Sequence, residues 1–217
     1  MGQRSQIYIR FKDDKEQTKL YAKYFQWNYG ERMISRARHG IEYIKNNLKY
    51  ISMGYVQDRI NRIFDVNFDI KDIASTTDLI KEWVVDFREY YTNVEYIFTS
   101  TANNDGKLFI DVDATGEIKI CFTDYDLNIL SPKEYMDWDF ENWQNSEYLS
   151  KEDAEICKKN IEYINQNVRF MTEDELEEYI SFDYSKQIEE LAESLGIKLE
   201  KSQNEIEQEQ DEIDICD

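Results

Sequence analysis

The chain has 217 residues and a mass of 26.2 kDa, which is enough for one medium-sized domain with a buried core. Its formal net charge is −20, but its 14% aromatic residues exclude a wholly disordered acidic chain. No segment approaches the roughly 18 consecutive apolar residues of a membrane-spanning helix, so we expect a soluble, cytoplasmic protein.

The N-terminal segment predicts a β-hairpin followed by a long helix. Polar and apolar residues alternate over residues 6–11 and again over residues 19–27, as in paired strands with one buried face. After Gly30, apolar residues recur at intervals of three or four, which predicts an amphipathic helix of about five turns. Its apolar positions are Met33, Ala37, Ile41, Ile44 and Leu48.

The other faces of this helix carry positive charge. The cations are Arg32, Arg36, Arg38, Lys45 and Lys49. They are either a solvated helix face or a basic surface for nucleic acid or an acidic protein. No zinc finger, helix-turn-helix or aromatic RNA-binding motif supports the second interpretation.

The middle of the chain predicts two helices and then a sheet. A short helix is expected over residues 55–63, and Ser75 with Asp78 forms a capping box for a second helix over residues 76–91. Period-two patterns then predict strands at residues 96–98, 107–112 and 117–122. Because the turns contain Asn, Asp and Gly, we expect an antiparallel three-stranded meander.

The second of these turns resembles a calcium-binding loop. Asp111 and Asp113, with Gly116, match its first positions. However, Phe122 stands where a bidentate Glu is required, and the flanking residues alternate like strands. We therefore favour a plain hairpin turn and expect no metal.

Acidic and aromatic residues alternate between residues 122 and 143. This pattern favours a surface that imitates a nucleic-acid strand, with carboxylates in place of phosphates; the alternatives are a glycosidase cleft and a structural edge segment. The predicted partner-binding residues are the acids Asp124, Asp126, Glu134, Asp137, Asp139 and Glu141, with Tyr135 and Trp138 as contact anchors.

The C-terminal third predicts three short helices with acidic outer faces. Ser150 and Thr172 begin the first two through capping boxes, and Gly196 ends the third. Residues 173–178 contain five acids in six positions. Residues 203–217 contain seven acids and no base, so we predict a flexible acidic tail.

The charge is divided unevenly along the chain. Residues 1–63 carry a net +7 and residues 64–217 a net −27. Two interpretations remain open: the basic part neutralises the acidic part within the protein, or the asymmetry marks an interaction surface. We predict an α+β fold in a single domain over residues 1–202, basic over 1–63 and acidic over 64–202, followed by the tail 203–217.

The usual catalytic groups are scarce. Cys121, Cys157 and Cys216 are too far apart in sequence for a disulfide framework or a zinc site, and His39 is the single histidine. No nucleophile elbow, phosphate-binding loop or dinucleotide fingerprint is present. We therefore expect a protein that is not an enzyme and has no cofactor.

In its size, its surplus of acid and its acidic aromatic segment, the chain resembles phage and mobile-element inhibitor proteins of the anti-CRISPR and anti-restriction class. That resemblance implies a non-enzymatic protein that occupies the cationic groove of a nucleic-acid-binding protein, such as a nuclease effector. The alternatives are a regulator or adaptor that uses the basic N-terminal surface, and a hydrolase that uses carboxylates with or without a divalent metal.

Overall fold

The computed structural model describes residues 4–12, 18–26, 28, 30–51, 76–87, 89–90, 95–99, 106–113, 115–139, 143–145 and 149–201. Helices and a mixed sheet make up this part of the chain, which confirms the α+β prediction. The helix predicted over residues 55–63 and the tail 203–217 lie outside the described residues.

The described elements follow one another from β1 to β9 and from α1 to α7. The strands are β1 Arg4–Lys12, β2 Thr18–Gln26, β3 Thr76–Asp78, β4 Glu89–Tyr90, β5 Lys107–Val112, β6 Ile118–Thr123, β7 Ile129–Leu130, β8 Arg169–Phe170 and β9 Glu200–Lys201. The helices are α1 Glu31–Ile51, α2 Leu79–Phe87, α3 Glu95–Thr99, α4 Pro132–Asp139, α5 Lys151–Asn167, α6 Glu173–Ser181 and α7 Ser185–Ser194, with a 3₁₀ turn at Trp143–Asn145.

Seven strands form the main sheet. Its order is β3-β2-β1-β5-β6-β7, and β8 pairs with β6 beside β7; β4 and β9 form a separate pair. The predicted hairpin of β1 and β2 is confirmed, as is the antiparallel pair of β5 and β6. The parallel pairing of β1 with β5 joins these two hairpins into one sheet.

The predicted third strand of the meander is wrong. Residues 96–98 belong to α3, where Ile97 and Phe98 are buried. A three-residue apolar run fits a buried helix as well as a strand, so periodicity alone does not distinguish them. The neighbour of β5 on its other side is β1, which lies about one hundred residues earlier in the chain.

Helices cover both faces of the main sheet. Alternate strand residues such as Ile7, Ile110 and Ile120 pack with α1, α4 and α5 in the first core cluster. The residues between them, such as Tyr8 and Phe109, pack with α2, α3, α6 and α7 in the second core cluster. Because both faces are covered, the central strands contain almost no solvent-exposed positions.

Local helix signals were largely correct. Met33, Ala37, Ile41 and Ile44 are all buried along α1, as their spacing predicts. For α2 the predicted range 76–91 was too long at both ends: residues 76–78 form β3 and residues 89–90 form β4. The carboxylate of Asp78 accepts a hydrogen bond from the Lys81 amide (3.1 Å), which caps the helix.

Two of the C-terminal helices begin, and the third ends, where their capping residues predict. The Ser150 hydroxyl accepts a hydrogen bond from the Asp153 amide (3.1 Å) at the start of α5. Thr172 and Glu175 form a reciprocal capping box at the start of α6. Gly196, with a φ of 68°, follows the end of α7.

Candidate binding surface

The predicted acidic segment begins with a tightly held turn between β6 and β7. The Asp124 carboxylate accepts hydrogen bonds from the amides of Asp126 (2.9 Å) and Asn128 (3.0 Å), and Leu127 has a left-handed φ of 67°. The amine of the buried Lys107 donates a hydrogen bond to the Tyr125 carbonyl (3.0 Å). Asp124 therefore shapes the turn, whereas the side chains of Tyr125 and Asp126 are exposed.

Two acids of α4 also have local partners. The Glu134 carboxylate accepts a hydrogen bond from the Ser131 amide (2.8 Å) at the start of the helix. Hydrogen bonds from Ser131 hold the pKa of Glu134 below its ordinary value. Asp137 is paired with Lys133, one turn earlier. Since Lys133 balances its charge, Asp137 contributes less net negative potential than the sequence suggests.

The aromatic anchors differ from those predicted. Tyr135 is fully buried in the first core cluster, 5.2 Å from Phe122 between ring centroids, so its ring is not available to a partner. This prediction was wrong because Tyr135 lies on the inner face of α4. Trp138 is 37% exposed, and its ring lies 6.4 Å from the 57% exposed Tyr125.

The remaining predicted acids contribute less. Asp139 is the last residue of α4, but its side chain lies outside what the structure describes, and Glu141 is outside the described residues altogether. The structure thus brings Asp126, Tyr125, Trp138 and Asp137 together as a surface formed by the turn and α4. We call these four residues the turn surface.

A second acidic surface covers α6 and α7. Both helices bury their apolar sides in the second core cluster, so their polar sides lie on the same side of the sheet. The exposed carboxylates of this helix surface are Glu173, Asp174, Glu177, Glu178, Asp183, Glu189, Glu190 and Glu193. One exposed cation of α7, Lys186, lies among these carboxylates in the sequence. The acidic run was visible in the sequence, but it was not among the predicted partner-binding residues.

The predicted basic surface of α1 is largely engaged within the protein. Arg36 donates to the Asn28 side chain (2.6 Å) and Arg38 pairs with Glu42 (2.8 Å). The remaining described cations also have protein partners: Arg32 with Glu31 at 3.8 Å and Lys45 with Asn167 at 2.9 Å. The side chain of Lys49 lies outside the described part of α1. Arg32 and Arg38 thus pair with carboxylates of α1 itself, and Arg36 and Lys45 bond to neutral amide groups, so these contacts do not neutralise the acidic part of the chain.

The calcium-like loop is a hairpin turn. Both oxygens of Asp111 bind the Arg10 guanidinium, at 2.8 and 2.7 Å. The Asp113 carboxylate accepts hydrogen bonds from the amides of Thr115 (2.8 Å) and Glu117 (3.0 Å), and these bonds close the turn between β5 and β6. Among the described residues, no cluster of three or more His, Cys, Asp or Glu could hold a metal ion.

A charged pocket of about 220 Å³ lies outside the carboxyl ends of the parallel strands β1 and β5. Ligands often bind at this end of parallel strands. Here, however, its central side chains pair within the protein: Arg10 with Asp111, and Lys119 with Glu175 at 3.1 Å. Arg10 also lies over the Tyr179 ring, 4.5 Å from its centroid. The central charges of the pocket are therefore paired within the chain.

Glu175 is the acceptor in this network, which leads to a prediction about acid stability. A hydrogen bond from Arg169 (2.7 Å) is the largest contribution that holds the pKa of Glu175 well below its ordinary value. Glu175→Gln keeps a side chain that can cap α6 but removes the charge. We expect it to lower the free energy of unfolding at pH 7 by about 0.5–1 kcal/mol.

Because the folded-state pKa is lowered, this stabilisation is present above about pH 4.3, the ordinary pKa of Glu, and is lost as the pH falls. The difference between wild type and Glu175→Gln in urea unfolding should therefore shrink steadily below that pH. Glu177→Gln, on the exposed side of the same helix, is the control. A difference that persists unchanged at pH 2–3 would contradict the ion-pair explanation.

Comparisons with known proteins give no match. No protein-family model, no curated protein and no solved structure is significantly similar to the chain. Within the described ranges, no helix has the length and apolar character needed to cross a membrane. Function must therefore be argued from the chemistry of these surfaces.

Proposed function

We propose that the protein is a non-enzymatic acidic binding protein that inhibits a nucleic-acid-handling enzyme by occupying its cationic groove. One observation carries this proposal: the helix surface presents eight exposed carboxylates on one side of the sheet, seven on α6 and α7 and one, Asp183, between them. A fixed array of like charges attracts a cationic groove over long distances and steers association with it.

The charge density of α6 suits this role. Residues 173–178 span about 9 Å of helix at 1.5 Å per residue. Glu175 is paired internally, which leaves the four exposed carboxylates of Glu173, Asp174, Glu177 and Glu178. They amount to roughly one negative charge per 2 Å, between the values of about 3.4 Å for one DNA strand and 1.7 Å for a duplex. A groove that binds phosphates would thus meet a similar linear charge.

The turn surface adds the type of contact that charge alone does not provide. Tyr125 and Trp138 are neighbouring, exposed aromatic rings beside the exposed Asp126. Aromatic rings next to carboxylates bind Arg and Lys side chains through cation–π and ionic contacts together. Because α4 packs on the opposite face of the sheet from α6 and α7, the turn surface is a separate candidate contact, and the proposal rests on the helix surface.

Affinity capture from a nuclease-treated bacterial lysate tests this function. We expect the protein to retain nucleases or other nucleic-acid-binding proteins at low salt, and excess duplex or single-stranded nucleic acid to displace them. If the retained proteins are indifferent to nucleic acid, the inhibitor proposal is wrong. The retained protein identifies the target for inhibition assays.

Two charge-reversal variants then locate the binding surface. The first changes Glu173, Asp174 and Glu177 to Lys; the matched control changes Glu152, Glu155 and Glu162 of α5 to Lys, with the same change in net charge. We expect the first variant to weaken binding on the order of 100-fold and the control to have a much smaller effect. Equal losses in both variants would show that net charge, and not the helix surface, determines binding.

A further inference from the structure

A second pocket lies at the edge of the main sheet, and we call it the edge pocket. Its volume is about 290 Å³, and it is lined by residues of β2, the start of α2 and α7. The short strand β3 pairs with Lys23–Phe25, and the edge pocket adjoins the preceding residues of β2. At roughly 30 Å³ per water molecule, it has room for about ten waters, or for an organic molecule of about ten non-hydrogen atoms.

Some polar groups that line the edge pocket are engaged within the protein. The Gln187 side chain donates to the Leu20 carbonyl (2.7 Å) and accepts from the Leu20 amide (2.8 Å). The Asp78 carboxylate accepts a hydrogen bond from the Lys81 amide (3.1 Å) and lies 3.6 Å from the Lys23 amine. These contacts join the walls of the pocket and use its neutral amide and one of its two carboxylates.

Three charged side chains of the edge pocket have no such contact. They are Lys19 of β2, Lys81 of α2 and Glu190 of α7, and their side chains form no hydrogen bond or ion pair within the described part of the chain. Opposite charges thus line one pocket without forming an ion pair. In the charged pocket beside β1 and β5, by contrast, Arg10 pairs directly with Asp111. The edge pocket therefore leaves its charges available to a ligand.

The signs of these charges define the groups that the ligand needs. Lys19 and Lys81 supply two ammonium groups, which match the two oxygens of one carboxylate. Glu190 supplies a carboxylate, which matches one ammonium group. A ligand with both groups pairs both signs of charge, whereas a simple anion would face Glu190 and a simple cation would face the two lysines.

The remaining wall of the edge pocket is apolar. Leu20 and Ile80, which line it, are almost fully buried, and Leu191 is half-buried. An apolar group bound against this wall would leave water, which stabilises a complex. We propose that the edge pocket binds an α-amino acid with an apolar side chain, whose carboxylate contacts the two lysines and whose ammonium group contacts Glu190. This site is independent of the proposed inhibitor function and shares Glu190 alone with the helix surface.

Isothermal titration calorimetry of the full-length protein with L-leucine and L-phenylalanine tests the site. Each amino acid has two half-ligands: isocaproate and hydrocinnamate lack the ammonium group, and isopentylamine and phenethylamine lack the carboxylate. We expect at least one amino acid to bind, and both of its half-ligands to bind at least about tenfold more weakly. The proposal is overturned if neither amino acid binds, or if a half-ligand binds as tightly as its amino acid.

Glu190→Gln tests recognition of the ammonium group. It should weaken binding of the amino acid about tenfold, but binding of the half-ligand that lacks the ammonium group should stay the same or become tighter, because a repelling carboxylate is gone. Glu189→Gln is the matched control, since this neighbour is exposed on the same helix, is not part of the pocket lining and changes the net charge equally. Equal losses in both variants would contradict the assignment.

Lys81→Gln tests recognition of the carboxylate, with Lys186→Gln of α7 as its control. We expect Lys81→Gln to weaken the amino acid and its carboxylate half-ligand alike, about tenfold, and Lys186→Gln to have little effect. Both side chains are exposed, so the fold should be retained, and circular dichroism of each variant checks this. Unchanged binding to Lys81→Gln would mean that the amino acid binds elsewhere, and the proposal would be wrong.

Discussion

Replacement of Phe109 by Ala is expected to lower the free energy of unfolding by about 3–5 kcal/mol. Phe109 is fully buried at the centre of the second core cluster. Its ring stacks on Tyr8 with centroids 4.9 Å apart and meets the edge of Tyr179 at 5.5 Å. The substitution removes buried apolar surface and these ring contacts, and it leaves a cavity between the sheet and α6.

Urea denaturation followed by circular dichroism measures this effect. Phe109→Leu keeps most of the volume and should lose clearly less stability than Phe109→Ala. Phe182→Ala, at a position that is 36% exposed, is the surface control and should change stability much less. A loss below about 1 kcal/mol for Phe109→Ala would mean that the aromatic cluster is not a principal part of the core.

Asp111→Ala should have an effect of similar size, about 3–5 kcal/mol, for an electrostatic reason. Asp111 holds the Arg10 guanidinium through two hydrogen bonds of 2.7 and 2.8 Å, and the side chains are only 15% and 10% exposed. Without Asp111, Arg10 remains a largely buried cation over the Tyr179 ring. The nearby Glu178 carboxylate, at 3.8 Å and 73% exposed, is a weak substitute.

The double variant Arg10→Met with Asp111→Leu tests this explanation in the same urea experiment. It removes both charges and keeps apolar volume, so it should recover much of the stability that Asp111→Ala loses. A double-mutant cycle should show strong coupling between the two positions. Additive losses would contradict the idea that the cost arises from an unpaired buried cation.

The elements predicted correctly from the sequence are those with strong local signals. The alternation in β1 and β2, the apolar spacing along α1 and the capping residues Ser150 and Thr172 all predicted what the structure contains. Each signal reflects interactions within a few residues of chain, which a single sequence displays directly.

Only some of the residues predicted for the binding surface are exposed. The segment after β6 does present Asp126 and Trp138, but Tyr135 is inside the core. Asp124 and Glu134 hold a turn and a helix start, which are roles that any Asp or Glu beside suitable amides adopts. Acid content alone does not separate such local roles from exposed charge.

By itself, the sequence determined the strong net negative charge, the α+β class and the starts of α1, α5 and α6, because these depend on composition and on neighbours along the chain. Only the tertiary structure decided that β1 pairs with β5, that the charges of α1 find partners inside the protein, and that Lys19, Lys81 and Glu190 line one pocket. These arrangements join residues that are far apart in the sequence. They arise from sheet pairing and burial, which no local pattern records.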